Sequence, residues 1–324
     1  MAPPDRQPHQ QAGWAQLMSG APDARQTFFV GIGAQKAGTS WLFNYLASHP
    51  SCRLSPMKEL HYFDSFQQDE LASAILRTEK NITKASERSL ASKLLPLRRS
   101  HHGHTQRERL DFLHAYRALL DTGRMNEAAY GALLRRYSAG KPIFGEVTPA
   151  YAILSGENFA RLHAAHPQTR MIFMMRDPLA RLWSAARMKS RRKGNQTTEF
   201  AIEIVKKVLG GQFPWFVARG DYRATIENLQ ASVPPQDVHY EFFEDLFGDQ
   251  SGAGKARLRI CDFLGLQPHS APSLDDKQNE GKAMPMPDSL AREATAFLRP
   301  QYRFVGDTFG RLPDAWRESL ARYG

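Results

Sequence analysis

Lys36 is the first residue whose setting suggests chemistry. It lies in a turn bounded by Gly33 and Gly38 and followed by Thr39 and Ser40, and the two glycines stand five apart as in the phosphate-binding pattern G-x-x-x-x-G-K-[ST]. Ser40 fills the hydroxyl position of that pattern, but position 39, where the pattern has lysine, is Thr39, and the loop's only lysine is Lys36. A lysine after the second glycine reaches the β- and γ-phosphates of a nucleoside triphosphate. With the lysine moved to the crest, the amides of Gly38, Thr39 and Ser40 can still receive a 5′-phosphate at a helix N-terminus, while Lys36 suits a group just beyond it. A second cluster, Lys58, Glu59, His61 and Asp64, alternates with Leu60, Tyr62 and Phe63. A carboxylate between a lysine and a histidine is a candidate to take a proton from an attacking hydroxyl, and a solvated surface turn is the other reading. The stretch from Arg170 to Met188, in which an apolar run ends at Arg176-Asp177-Pro178, is the third informative one.

These residues need elements to hold them. The apolar run 28–30 predicts a buried strand, the turn 31–38 follows it, and Trp41, Leu42, Tyr45 and Leu46 recur at helical spacing. Residues 52–54 predict a short strand and 143–147 another, ending at Thr148-Pro149. The unbroken apolar stretch 171–175 predicts a parallel strand buried on both faces. Asp177 reads as the N-cap and Pro178 as the first residue of the next helix, with Arg181, Ser184 and Arg187 on one face. From 70 to 140 the pattern is helical, with a helix over 125–139 capped by Gly140 and a basic interruption at 97–109. His101, His102 and His104 in that interruption read as a solvated loop rather than as metal ligands. A strand and short helix follow over 238–247, a helix closes at Gly265, and a terminal helix over 289–302 precedes a short tail. The domain organisation expected is a flexible tail over 1–26, one domain over 27–310 and a C-terminal tail over 311–324.

A chain of 324 residues can bury a substantial core, and no apolar run reaches the length of a membrane span. The first 26 residues lack the apolar centre of a signal peptide, so the expected location is cytoplasmic. Cys52 and Cys261 are too few for a disulfide framework or a zinc site. A net charge of +10 calls for an anionic partner. The basic residues are scattered and no reading module is present, which argues against nucleic acid and leaves an anionic cofactor, an anionic glycan or a peripheral lipid headgroup surface.

The order Lys36-Ala37-Gly38-Thr39-Ser40-Trp41 resembles the 5′-phosphosulfate loop of the sulfotransferases that use 3′-phosphoadenosine 5′-phosphosulfate (PAPS). Arg-Asp-Pro-x-x-Arg-x-x-Ser, from Arg176 to Ser184, resembles their 3′-phosphate motif. Lys58-Glu59-Leu60-His61-Tyr62-Phe63-Asp64 resembles the segment after the cofactor loop in heparan-sulfate-type members and their bacterial relatives, where the glutamate is the base. Gly145 to Tyr151 resembles the strand end that lines the acceptor side, with Val147 where many glycan members have lysine. The resemblance implies an α/β fold, P-loop-like, with a central mostly parallel sheet flanked by helices. It implies sulfuryl transfer from PAPS to an acceptor hydroxyl on a carbohydrate or glycan, or on a lipid or small alcohol, releasing adenosine 3′,5′-bisphosphate, with no metal required. Lys36 and Glu59 would be catalytic, with Glu146 the second candidate base. Lys36 to Trp41, Arg176, Ser184, Gly281 and Lys282 would hold the cofactor, and Lys58, His61 and Glu146 would meet the acceptor. A P-loop kinase and a non-catalytic anion-binding protein are the readings from other classes. The kinase reading wants lysine at position 39, and the anion binder leaves Glu59 without a role.

Overall fold

The computed structural model describes residues 24–92, 103–192, 194, 197–247, 250–271 and 285–324. Five strands form a parallel sheet in the order β2-β3-β1-β4-β5, flanked by helices. The strands are β1 Thr27–Gly33, β2 Cys52–Leu54, β3 Ile143–Val147, β4 Thr169–Met175 and β5 Val238–Phe242. Phe28, Phe29, Val30 and Ile32 of β1, and Met171 through Met175 of β4, are all fully buried. Such strands show no polar alternation because helices cover both faces, and each apolar side chain contributes about 1.5–3 kcal/mol by burial. β1 runs on to Gly33, so part of the turn read over 31–38 is strand, and the Ala34 N–H still donates to Met174 O at 2.7 Å.

The chain divides into two compact units: Phe43–Thr148, Leu154–Met171 and the chain up to Val30 make one, and Gly31–Leu42, Pro149–Ile153 and Ile172–Gly324 the other. In the first unit the helices Leu71–Ser92 and Gln106–Leu120 pack together. The helix predicted over 125–139 spans Glu127–Arg136. Asn126 caps it by accepting from Ala129 N–H at 2.9 Å, and Ala139 and Gly140 both take positive φ beyond its end, so Gly140 turns the chain rather than capping the helix. His104 is buried, with Nε2 2.8 Å from Leu54 O and Nδ1 3.2 Å from an Arg53 nitrogen. It ties the loop to the end of β2, which overturns its reading as solvated, whereas His101 and His102 lie outside the described residues.

In the second unit the helix Pro178–Arg192 starts as its sequence predicts, with Asp177 Oδ1 accepting from Ala180 N–H at 2.9 Å and from Tyr302 OH at 2.9 Å. The late helix runs Asp288–Phe309, past the predicted 302, because Leu298, Tyr302 and Val305 continue its buried stripe. A further helix, Asp314–Tyr323, replaces the expected tail. Trp316 anchors it, fully buried with ring centroids 5.4 Å from Phe242 and 5.8 Å from Tyr302. No helix among the described residues is long and apolar enough to cross a membrane.

Candidate functional site

In the second unit the chain leaves β1 through a tight loop in which Lys36 takes φ 71° and Gly38 φ 88°. Gly38 is needed twice over, because that conformation disfavours a side chain and a Cβ there would come 2.7 Å from Phe243 Cδ2. The helix Thr39–Ser48 then begins with no acidic residue in its first turn. Among the described residues the Gly38 and Thr39 amides have no backbone acceptor, as the opening of a helix requires, so they are available to an anion.

Arg176 follows β4 and reaches this loop: its Nη1 donates to the Lys36 carbonyl at 3.2 Å, and its guanidinium lies 4.6 Å above the Phe243 ring. Tyr222 fixes the arginine backbone from below. Its hydroxyl accepts from Arg176 N–H at 3.1 Å and donates to Arg176 O at 2.6 Å, and burial raises its pKa so that it stays a donor. Two segments 140 residues apart in sequence thus meet at the loop crest.

Arg181 is 2% exposed, and its Nε and Nη1 have no hydrogen-bond partner. Its guanidinium lies so close to Gly220 that a Cβ there would be 2.0 Å from Nη2. Burial holds its pKa down, and the charge of Arg176 adds to that. Arg187 is lowered by burial and then by Arg191 and Arg176. Arg176, Arg181 and Arg187 therefore make a cationic corner on which neighbouring arginines press. Ser184 is half-buried between Arg181 and Arg187 on the helix, and Arg181 is packed inside. Ala37 is buried, and Trp41, 2% exposed with the Arg257 guanidinium 5.7 Å from its ring, offers a ligand its backbone rather than its face. Gly281 and Lys282 lie outside the described residues.

In the first unit the segment after β2 is held at every turn. Glu59 N–H donates to Val147 O at 3.1 Å, Tyr116 OH to Leu60 O at 2.7 Å, and Ser65 Oγ to His61 O. Glu59 and His61 are both left-handed, at φ 60° and 59°, a strain that such anchoring maintains. The Glu59 side chain is 43% exposed, 3.8 Å from Lys58 Nζ and 3.9 Å from His61 Nε2, and His61 Nδ1 donates to buried Asp64 at 2.7 Å. Burial pulls the His61 pKa down, but the Asp64 hydrogen bond and the charges of Asp64 and Glu59 outweigh it and hold it above its ordinary value. Burial lowers the Lys58 pKa, against an opposing pull from Glu59. Lys58, Glu59 and His61 line a cavity of about 370 Å³. Glu146 is fully buried and accepts from Tyr130 OH and from Thr148 Oγ1 at 2.6 Å, so it has no open oxygen to offer a ligand. The sequence signals for Tyr222 and Phe243 were weak: a lone tyrosine at a helix start, and one phenylalanine of a pair after β5.

The family model described as "Sulfotransferase family" matches residues 28–270. Among solved structures, the chain is similar to a sulfotransferase from Alicyclobacillus acidocaldarius, 23% identical, with 90% of this chain and 99% of that chain covered and a TM-score of 0.58, a likeness of fold. The sulfotransferase domain of the Synechococcus PCC 7002 olefin synthase is 15% identical, with 86% and 97% covered and a TM-score of 0.45. Among curated proteins none matches.

Proposed function

Because this chain belongs to the sulfotransferase family, we propose that it transfers a sulfuryl group from PAPS to a hydroxyl of a carbohydrate or glycan acceptor. The observation that carries the cofactor assignment is the contact between Arg176 and the Lys36 carbonyl, which joins a 3′-phosphate motif to a 5′-phosphosulfate loop. The residues fit such a nucleotide: buried Arg181 has unused donors, like-charged arginines crowd together beside it, and the Gly38 backbone approaches Phe243 more closely than any side chain would allow. When bound, PAPS supplies the sulfuryl group, whose bond to the 5′-phosphate oxygen breaks as the acceptor oxygen bonds to sulfur.

In this reading the Gly38, Thr39 and Ser40 amides hold the 5′-phosphate, and Lys36 neutralises the charge that gathers on the leaving oxygen. Arg176 and Ser184 hold the 3′-phosphate, and Gly281 and Lys282 belong to the same grip. Glu59 takes the hydroxyl proton, with Lys58 and His61 beside it steadying the carboxylate and the acceptor. Glu146 serves the acceptor side as a positioning residue, since Tyr130 and Thr148 occupy its oxygens. The cavity beside Glu59, lined by polar as well as apolar side chains, supports a hydroxylated acceptor. The reaction is assigned to the cytoplasm.

Incubation with PAPS labelled in its sulfate, over pools of glycans, lipids and small alcohols, tests the assignment. Label moves to the glycan pool if the reading is right. Transfer to lipid or alcohol alone refutes the acceptor, and no transfer with any pool refutes the reaction.

A further inference from the structure

We propose that the cavity beside Glu59 selects an acceptor that carries its own anionic group close to the hydroxyl being sulfated, gripped by Arg109 and Arg77. This rests on the reading of Glu59 as the base. The cavity, about 370 Å³, has the size of a small-ligand pocket. Among the described residues that line it Glu59 is the one carboxylate, against Lys58, Arg77 and Arg109. Glu59 already shares its charge with Lys58 and His61, so it does not neutralise the two arginines.

Arg109 carries most of the argument. It is half-buried, no acid among the described residues pairs with it, and its buried Nε has no acceptor. Burial lowers its pKa, and the neighbouring cation Arg88 lowers it further. A guanidinium withdrawn from water costs free energy unless an anion meets it. Arg77 is only loosely engaged, 3.9 Å from Glu70 and donating to Ser65 Oγ at 3.2 Å. The two arginines come from different helices, Leu71–Ser92 and Gln106–Leu120, and line one cavity, so no single surface turn explains them. Met57 and Leu60 give the same cavity an apolar wall for the body of the acceptor. A carboxylate, sulfate or phosphate ester on the acceptor supplies the missing acceptor atoms.

The test keeps the nucleotide site saturated with adenosine 3′,5′-bisphosphate and titrates inorganic sulfate at constant ionic strength by calorimetry. The parent protein should show a saturable sulfate event, weakened at least tenfold in Arg109→Gln and by less in Arg109→Lys, while bisphosphate affinity stays within about twofold as the check on folding. Methyl β-D-glucuronide should displace the sulfate and methyl β-D-glucoside should not. No saturable sulfate binding in the parent overturns the proposal, as does binding that Arg109→Gln leaves intact. Sulfate that the glucuronide fails to displace marks a site for free anions and overturns the acceptor assignment. Failure of the bisphosphate to bind the parent would instead count against the cofactor reading alone.

Discussion

Lys36 and Glu59 each make a sharp prediction because each is asked to do one thing. In the proposed reaction Lys36→Ala would remove a preorganised positive charge from the leaving oxygen, and it should lower turnover at saturating PAPS by about a hundredfold or more, the scale of losing one such donor. Near-normal turnover would remove Lys36 from the chemistry. Glu59→Gln keeps shape and hydrogen bonding but removes the base, so turnover should fall by roughly two to four orders of magnitude while bisphosphate affinity holds. Glu146→Gln should behave differently. Its carboxylate is sealed under Tyr130 and Thr148, so the expected loss is in unfolding free energy, by about 1–3 kcal/mol, as read by urea denaturation. At this scale the sequence singled out Lys36, Glu59 and Arg176 by residue type and order, and the Arg176 guanidinium does reach the Lys36 carbonyl. The sequence was silent on Tyr222, whose hydroxyl serves a backbone, and on Arg109, whose importance comes from what does not stand beside it.

The elements show why the reading worked for strands and faltered at ends. The core of β4 coincides with its apolar run because burial on both faces leaves no polar residue to blur it, and β3 spans the predicted 143–147 with the carboxylate of Glu146 buried inside it. Helix limits drifted where tertiary packing decides. The helix Glu127–Arg136 stops before Gly140 because Tyr137 already closes it, and Asp314–Tyr323 forms because Trp316 has an aromatic pocket to fill. The Glu59 segment is an element held by its anchors, and within it His61 has a raised pKa. Its folded pKa is raised above an ordinary value of about 6.5, so its contribution to stability is full below that pH and is lost as pH rises through the folded value. Unfolding free energy measured against pH for the parent and for His61→Gln should differ most below about pH 6.5 and converge above the folded pKa. Curves that stay parallel across the range would show that protonation of His61 adds no stability.

Across the whole molecule a net charge of +10 sets the scale of attraction for anions, and the described residues concentrate part of it where Arg176, Arg181 and Arg187 crowd together. Composition pointed to an anionic partner as an expectation, and only the folded chain showed that the buried Arg181 guanidinium has donors without a partner. The central claim is that this corner reads a ribose 3′-phosphate, which no enzyme built for ATP needs. Losing one charge-assisted hydrogen bond costs about 1.5–3 kcal/mol, so a grip by Arg176 and Ser184 predicts that adenosine 3′,5′-bisphosphate binds at least roughly a hundredfold tighter than AMP. Calorimetric titration of both nucleotides into the parent and into Arg176→Ala is the direct measurement. The account predicts that the variant loses most of the gap by weakening the bisphosphate while AMP is nearly unchanged, and equal affinity of the parent for the two nucleotides would contradict it.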